Sequence, residues 1–259
     1  MGRKYFVASD IHSCYTFYRQ ALEEQGFELD NPDHVLVLLG DLFDRGPEPR
    51  ELYRFLQSIP QERRILVRGN HEDGFLYVCQ NESADWTDRI NGTLDTMEIL
   101  AGDEINDTAL FGIPYVKKHL IQNGVLSFFQ SKEWLDFFQL GRYLMVHAFF
   151  PIRAYDWETG ADIADFDWRH PDPGIILEWI GARWEDPLAC FHSKAFDAER
   201  KRGTILVCGH CPTRNYRKNK DDSIYREEGF IGSDGNAFRG GRVNVLVIDP
   251  EQDPLARGE

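Results

Sequence analysis

The feature that most constrains the fold of this chain is a recurrence: short apolar runs that stop at polar residues able to hold a metal ion or a phosphate. In the fullest instance, Val35-Leu36-Val37-Leu38-Leu39 leads into Gly40-Asp41-Leu42-Phe43-Asp44-Arg45-Gly46. An aliphatic run closed by glycine reads as a strand buried on both faces, and it delivers Asp41 and Asp44 just past its C-terminal edge. That edge is where open α/β sheets bind ligands. Two carboxylates and a guanidinium this close together desolvate and repel one another at a cost unless something else shares the site. A metal ion and a phosphate would both fit.

The pattern repeats. Tyr5-Phe6-Val7-Ala8 runs into Ser9-Asp10-Ile11-His12-Ser13, and Arg64-Ile65-Leu66-Val67 into Arg68-Gly69-Asn70-His71-Glu72. Tyr143-Leu144-Met145-Val146 delivers His147, and Thr204-Ile205-Leu206-Val207-Cys208 leads to Gly209-His210-Cys211-Pro212-Thr213. Between the early strands the spacing predicts a helix from Tyr15 to Gln25, closed by Gly26, and another begun by Pro47 or Pro49 and ended before Pro60. Asp73 to about Asn106 reads as mostly helical, and Leu120 to Leu140 keeps helical spacing. A last strand is expected over Val243 to Ile248. Residues 148–203 carry Trp157, Trp168, Trp179 and Trp184 but no clean strand pattern, and read as an irregular, helical insertion beside the site, a candidate substrate-selecting cap. Arg214 to Glu228 reads as a charged loop, and Asp234 and Asp249 as turn residues.

Composition narrows the function. A chain of 259 residues allows one large α/β domain, and a single domain over 1–259 with an insertion at about 148–203 is expected. The formal charge of −14 argues against broad binding to nucleic acid or anionic membrane, both of which rely on a basic face. No apolar segment is long enough for a signal peptide or a membrane span, so the expected location is cytoplasmic. The odd number of scattered cysteines fits reduced thiols, and Cys208-Gly-His-Cys211 lacks the second pair that a four-cysteine zinc site needs.

Asp10, His12, Asp41, Asn70, His147 and His210 make a mixed oxygen and nitrogen set, suited to borderline or fairly hard divalent ions such as Mn²⁺, Fe or Zn²⁺. If Asp41 bridges, two ions about 3.5–4 Å apart could form, with Asp10 and His12 on the first and Asn70, His147 and His210 on the second. Arg45 can pair with phosphate oxygens. His71, held as imidazolium by Asp44, can donate a proton to a leaving oxygen. Gly-x-Ser-x-Gly does not occur, so water is the expected nucleophile. Taken singly these motifs are unspecific, since a lone histidine after a strand is more often a satisfied core residue. A purely structural role gives no reason for these residue types at five successive strand ends.

The five blocks resemble the five motifs of the calcineurin-like metallophosphoesterases. Asp44-Arg45-Gly46 and Gly69-Asn70-His71-Glu72 resemble the phosphoprotein phosphatase branch, which includes bacterial serine/threonine phosphatases and diadenosine tetraphosphatases. The resemblance implies an α/β fold, a four-layer α/β/β/α sandwich with two divalent ions, Mn²⁺ first among them, at the strand C-terminal ends. It implies the ligand set above, with Asp44 and His71 as the acid dyad. Residues 231–245 are similar to the closing strand region of that branch. Ser9 and Ser13 replace the usual glycines of the first block, for which altered packing is the expectation. Thr213 stands where many members outside the branch carry a second metal-binding histidine. The branch uses a second phosphate-binding arginine after the fourth motif; Arg169 is the candidate, with Arg153 and Arg183 behind it.

The implied activity is metal-dependent hydrolysis of phosphate esters by an activated water, first as a serine/threonine protein phosphatase-like phosphomonoesterase. The alternative is a dinucleoside polyphosphate (diadenosine tetraphosphate) hydrolase. A catalytically silent binding protein on the same fold is the non-enzymatic alternative, and its mark, loss of a ligand or of the dyad, is absent. A nuclease of the same superfamily is disfavoured by the acidic charge and the missing second histidine. The expected partners are a phosphorylated protein or small phosphate ester, with neither membrane nor nucleic acid.

Overall fold

The computed structural model describes residues 2–102 and 112–257. The first apolar runs become parallel strands. β1 (Lys4–Ala8), β2 (His34–Leu39), β3 (Arg64–Val67) and β4 (Trp134–Leu135) lie side by side, and β13 (Leu246–Ile248) closes the β1 edge antiparallel, giving the order β13-β1-β2-β3-β4. A second sheet has the order β11-β12-β10-β6-β5, with β6 (Tyr143–Met145), β10 (Ile205–Cys208) and β12 (Phe230–Gly232) parallel at its centre. β5 (Phe138–Leu140) and β11 (Tyr225–Glu227) flank it antiparallel.

The two sheets pack face to face. Val7, Val37, Leu39 and Val67 from the first meet Met145, Val207 and Ile231 from the second in one buried cluster. Alternate residues of the first sheet, Phe6, Leu36, Leu38 and Leu66, face the other way, against α1 (Tyr15–Glu24), α2 (Pro49–Ser58), α3 (Asn70–Asn81) and α5 (Thr93–Ala101). This alternation is the period-2 consequence of a strand buried on both faces. On the far side of the second sheet, Leu144, Val146, Leu206 and Phe230 pack against Phe149, Phe150, Trp168, Phe191 and Phe196. The layers are therefore helix, sheet, sheet, and a mixed outer layer: the α/β sandwich that the sequence motifs imply.

Several local expectations change. The helix of the third motif begins at Asn70, because Glu72 caps its first turn, and Gly92 at φ +80° splits the stretch that follows into α4 (Trp86–Asn91) and α5; residues 103–106 lie outside the described ones. Leu120 to Leu140 is not one helix. α6 (Ile113–Gln122) stops at Asn123-Gly124, α7 (Val125–Phe129) is short, and Trp134-Leu135 then adds β4 to the sheet edge. Helical spacing there came from apolar residues that serve three different elements. Residues 148–203 do contain strands: β7 (Ala154–Asp156), β8 (Asp162–Ile163) and β9 (Ile175–Leu177) form a small antiparallel sheet, ahead of the short helices α8 (Trp179–Ala182), α9 (Pro187–His192) and α10 (Asp197–Lys201). Strands of two or three residues are too short to show a period. The charged stretch 214–228 likewise supplies β11.

Candidate dimetal site

The C-terminal ends of β1, β2 and β3 in one sheet meet those of β6, β10 and β12 in the other, and Asp10, His12, Asp41, Asp44, Arg45, Asn70, His71, His147 and His210 converge there. The turns are forced into an unusual backbone. Asp10, His12, Asp41, Asp44, Arg45 and His210 all have φ between +46° and +67°, a region that costs a non-glycine residue about 1–2 kcal/mol. Two glycines make the close approach feasible. A Cβ on Gly40, itself at φ +78°, would lie 2.5 Å from the Gly69 Cα, and one on Gly209 would lie 2.0 Å from an Asp10 carboxylate oxygen.

Asp41 is the hub. Its Oδ1 lies 3.4 Å from His147 Nε2 and accepts the His71 backbone N–H, while its Oδ2 lies 3.8 Å from both His12 Nε2 and His71 Nε2. One carboxylate thus serves two groups of metal-competent atoms, His12-Asp41-His71 and Asp41-His147-His210. The donors fit cations. His147 Nδ1 donates to the Leu39 carbonyl, so its Nε2 carries the lone pair, and that lone pair faces Asn70 Oδ1 at 2.9 Å and His210 Nδ1 at 3.2 Å. Among these three atoms only His210 Nδ1 can carry a proton, and a cation in their midst satisfies the lone pairs that one proton cannot. His12 is fixed the same way, Nδ1–H to the Phe43 carbonyl at 3.0 Å, leaving Nε2 toward Asp41. Asp10 lies beside the group with both carboxylate oxygens on the His210 N–H.

The electrostatics agree. Burial lowers the pKa of His12, His147 and His210, the last to about 4, so all three imidazoles are neutral near pH 7, the form a metal ligand needs. Burial works against ionised Asp41, but the four surrounding imidazoles outweigh it and hold the carboxyl well below its usual range. His71 is the opposite case. Burial pulls it down, yet Asp41 and the hydrogen bond to Asp44 prevail and its pKa is raised. Its Nδ1 donates to Asp44 Oδ2 at 2.8 Å, and its buried Nε2 has no hydrogen-bond partner among the described residues. Arg45 donates to His12 Nε2 at 2.7 Å and lies over the Phe238 ring at 4.6 Å.

The second arginine is placed differently from the expectation. Arg169 pairs with Glu199 and Gln139 and stacks on Trp168. Glu199 in turn holds Thr204, which precedes β10, whereas His210 follows that strand. Arg169 therefore sits at the wrong end of the sheet. Arg153 is exposed beside Asp162. Arg183 is buried, held by Asp73 of α3 at 2.7 Å and by Asp136, and its charge bears on His147.

Residues without a role in the sequence reading also matter. Glu72 accepts the backbone N–H groups of Asp41, Leu42 and Gly69, tying the second turn to the third; glutamate three residues after a helix cap was the available signal. Thr93 donates to Asp44 at 2.7 Å, a contact across a chain distance no local pattern reveals. Burial first, and then the charge of Asp41, raises the pKa of buried Asp234 to about 7, and the charge of Asp234 in turn helps raise that of Asp10, so it is more than a turn residue. Ser9 and Ser233 hydroxyls meet at 2.7 Å, and Ser233 donates onward to the Cys208 carbonyl. That clasp between the two sheets explains the serine in place of glycine.

A fold of two facing sheets with a histidine and carboxylate cluster at their common edge defines a metallophosphoesterase. The profile of the calcineurin-like phosphoesterases matches residues 3–230, and the chain belongs to that family. It is 25% identical over 223 residues to the asymmetrical bis(5'-nucleosyl)-tetraphosphatase PrpE of Bacillus subtilis, covering 83% of this chain and 81% of that one. To the symmetrical bis(5'-nucleosyl)-tetraphosphatase of Buchnera aphidicola it is 34% identical over 100 residues, 37% of this chain and about a third (35%) of that protein's length. Serine/threonine-protein phosphatase 1 of Salmonella typhimurium is 25% identical over 171 residues, 64% of this chain and 68% of its own. A solved structure provisionally assigned as a diadenosine tetraphosphatase superposes with a TM-score of 0.51 at 17% identity, over 96% of this chain and 91% of that one, a likeness of fold. Among the described residues no helix is long and apolar enough to cross a membrane.

Proposed function

We propose that the chain hydrolyses a dinucleoside polyphosphate at a dimetal centre held by Asp10, His12, Asp41, Asn70, His147 and His210, with Mn²⁺ as the working ion. The division of the Asp41 oxygens between two donor groups is the observation that carries the dimetal reading. When bound, the ions supply Lewis acidity to the water and to the phosphoryl oxygens. The chain's own residues do the rest. Arg45, which now donates to His12 Nε2, is released for a phosphate oxygen once that lone pair is taken. Its planar fork suits a bidentate hold, and Phe238 keeps it over the site. Arg183, rather than Arg169, is the nearer second cation. His71 gives the Nε2 proton to the leaving oxygen while Asp44, steadied by Thr93, holds its Nδ1–H.

The long alignment with PrpE supports the polyphosphate substrate. The Salmonella phosphatase favours a second reading, a phosphoprotein. A turnover profile over diadenosine tetraphosphate, a phosphoserine peptide and p-nitrophenyl phosphate, with Mn²⁺ added after chelation, separates them. The dinucleotide is expected to give the highest kcat/KM; preference for the peptide would replace this reading with the second.

A further inference from the structure

Trp184 is an exposed tryptophan at the rim of the cluster. It keeps 55% of its surface exposed although its ring centroid lies 6.2 Å from that of His210, nearly perpendicular to it. An indole left in water costs hydrophobic free energy that burial would recover. Its backbone is nevertheless fixed. The Trp184 N–H donates to the Gly181 carbonyl, Arg183 before it is pinned to Asp73 and Asp136, and the Phe149 N–H, two residues after His147, donates to the Ala182 carbonyl. The platform is rigid and registered to the second donor group. Phe238, also beside the cluster, is half-buried, with Arg45 over its ring and His12 against it, so it is already engaged by the site.

We infer that Trp184 is a specificity-determining residue that stacks on a nucleobase of the substrate while the phosphates lie on the cluster; this rests on the dinucleoside polyphosphate reading above. A base stands at least a ribose away from the reacting phosphorus, and a phosphate or more further when an inner phosphorus reacts, which suits a platform to the side of His210. A phosphotyrosine ring, joined to the reacting phosphate through its own oxygen, would lie over the donors themselves, and the phosphoserine side chain has no aromatic ring to offer. Stacking of a base on an aromatic side chain is tolerant of base identity, so adenosine and guanosine substrates should both profit.

The test compares wild type, Trp184→Ala and Trp184→Phe with Mn²⁺. Three quantities are read: kcat and KM on diadenosine tetraphosphate, affinity for its methylene-bridged analogue by titration calorimetry, and the inhibition constant of inorganic tripolyphosphate, which has no base. Trp184→Ala should raise KM and weaken the analogue by about 10-fold or more, within the range for a lost base–aromatic stack. It should leave kcat and the tripolyphosphate constant within about twofold, and Trp184→Phe should recover most of the loss. Hydrolysis of the dinucleotide with KM and analogue affinity unchanged in Trp184→Ala overturns this inference and spares the hydrolase reading. An equal loss for tripolyphosphate also overturns it, because Trp184 would then be shaping the phosphate site. A wild-type enzyme that cleaves p-nitrophenyl phosphate but not diadenosine tetraphosphate removes the polyphosphate reading and this inference together.

Discussion

His71 and Glu72 are adjacent in sequence and do different work. If His71 is the proton donor and binds no ion, His71→Asn should keep the wild-type metal content. It should lower kcat by roughly 10²–10⁴ on an alkyl phosphate and less on p-nitrophenyl phosphate, whose leaving group is stable without a proton. Loss of an ion from this variant would assign His71 to the His12-Asp41 group, which the geometry also admits. Glu72→Gln keeps the shape but puts an NH₂ where an oxygen now accepts a buried backbone N–H. Urea unfolding of the metal-free variant should show a loss of about 2–4 kcal/mol; an unchanged midpoint would mean that the three bonds carry no stability. His210 gives a signed pH dependence. Its pKa is lowered to about 4 in the folded, metal-free chain, against about 6.5 unfolded. Between those values the unfolded state binds the extra proton, so stability is lost as pH falls. Metal-free wild type should therefore lose Tm relative to His210→Asn between pH 6.5 and 4, and parallel curves would contradict the buried neutral imidazole. The residues named here were legible where side-chain chemistry sits within a few positions of a strand end. Thr93 was not, and neither were the roles of Ser233 and Asp234, although both directly follow β12, because what gives each its role is a contact 49 or more positions away, Thr93–Asp44 and Ser9–Ser233 among them.

At the scale of elements, the turns matter more than the strands that deliver them. Gly40 and Gly69 let the second and third turns touch, and Gly40→Ala adds both a left-handed penalty and a collision with backbone. The variant should bind fewer than two ions per chain by equilibrium dialysis while retaining strand content by circular dichroism; full metal content would show that the turns can separate without consequence. Long buried strands such as β2 announced themselves through unbroken aliphatic runs. The two-residue β4 and the strands β7 to β9 did not, since two or three residues establish no period, and their pairing partners lie far off in sequence. Leu120 to Leu140 misled for a related reason: apolar residues bound for α6, α7 and β4 fell by chance at helical intervals.

For the whole molecule, strand-helix alternation pointed to an α/β sheet but not to two sheets. How the two sheets meet at their common edge is set by contacts such as His147 with the Leu39 carbonyl and His210 with Asp10, invisible to local pattern and supplied only by resemblance. The site exists because the sheets face one another, and Asp41 is the residue that both donor groups share. Its charge is what the cluster needs most, so the most direct measurement is a titration of Mn²⁺ into chelated protein, reading bound ion per chain and hydrolysis together, for wild type and Asp41→Asn. Wild type should be inactive without metal, bind two ions and gain activity as the second is taken up, while Asp41→Asn should lose at least one ion and nearly all turnover. Hydrolysis that survives complete metal removal, or Asp41→Asn with two ions and a near-normal rate, would contradict a bridged dimetal centre.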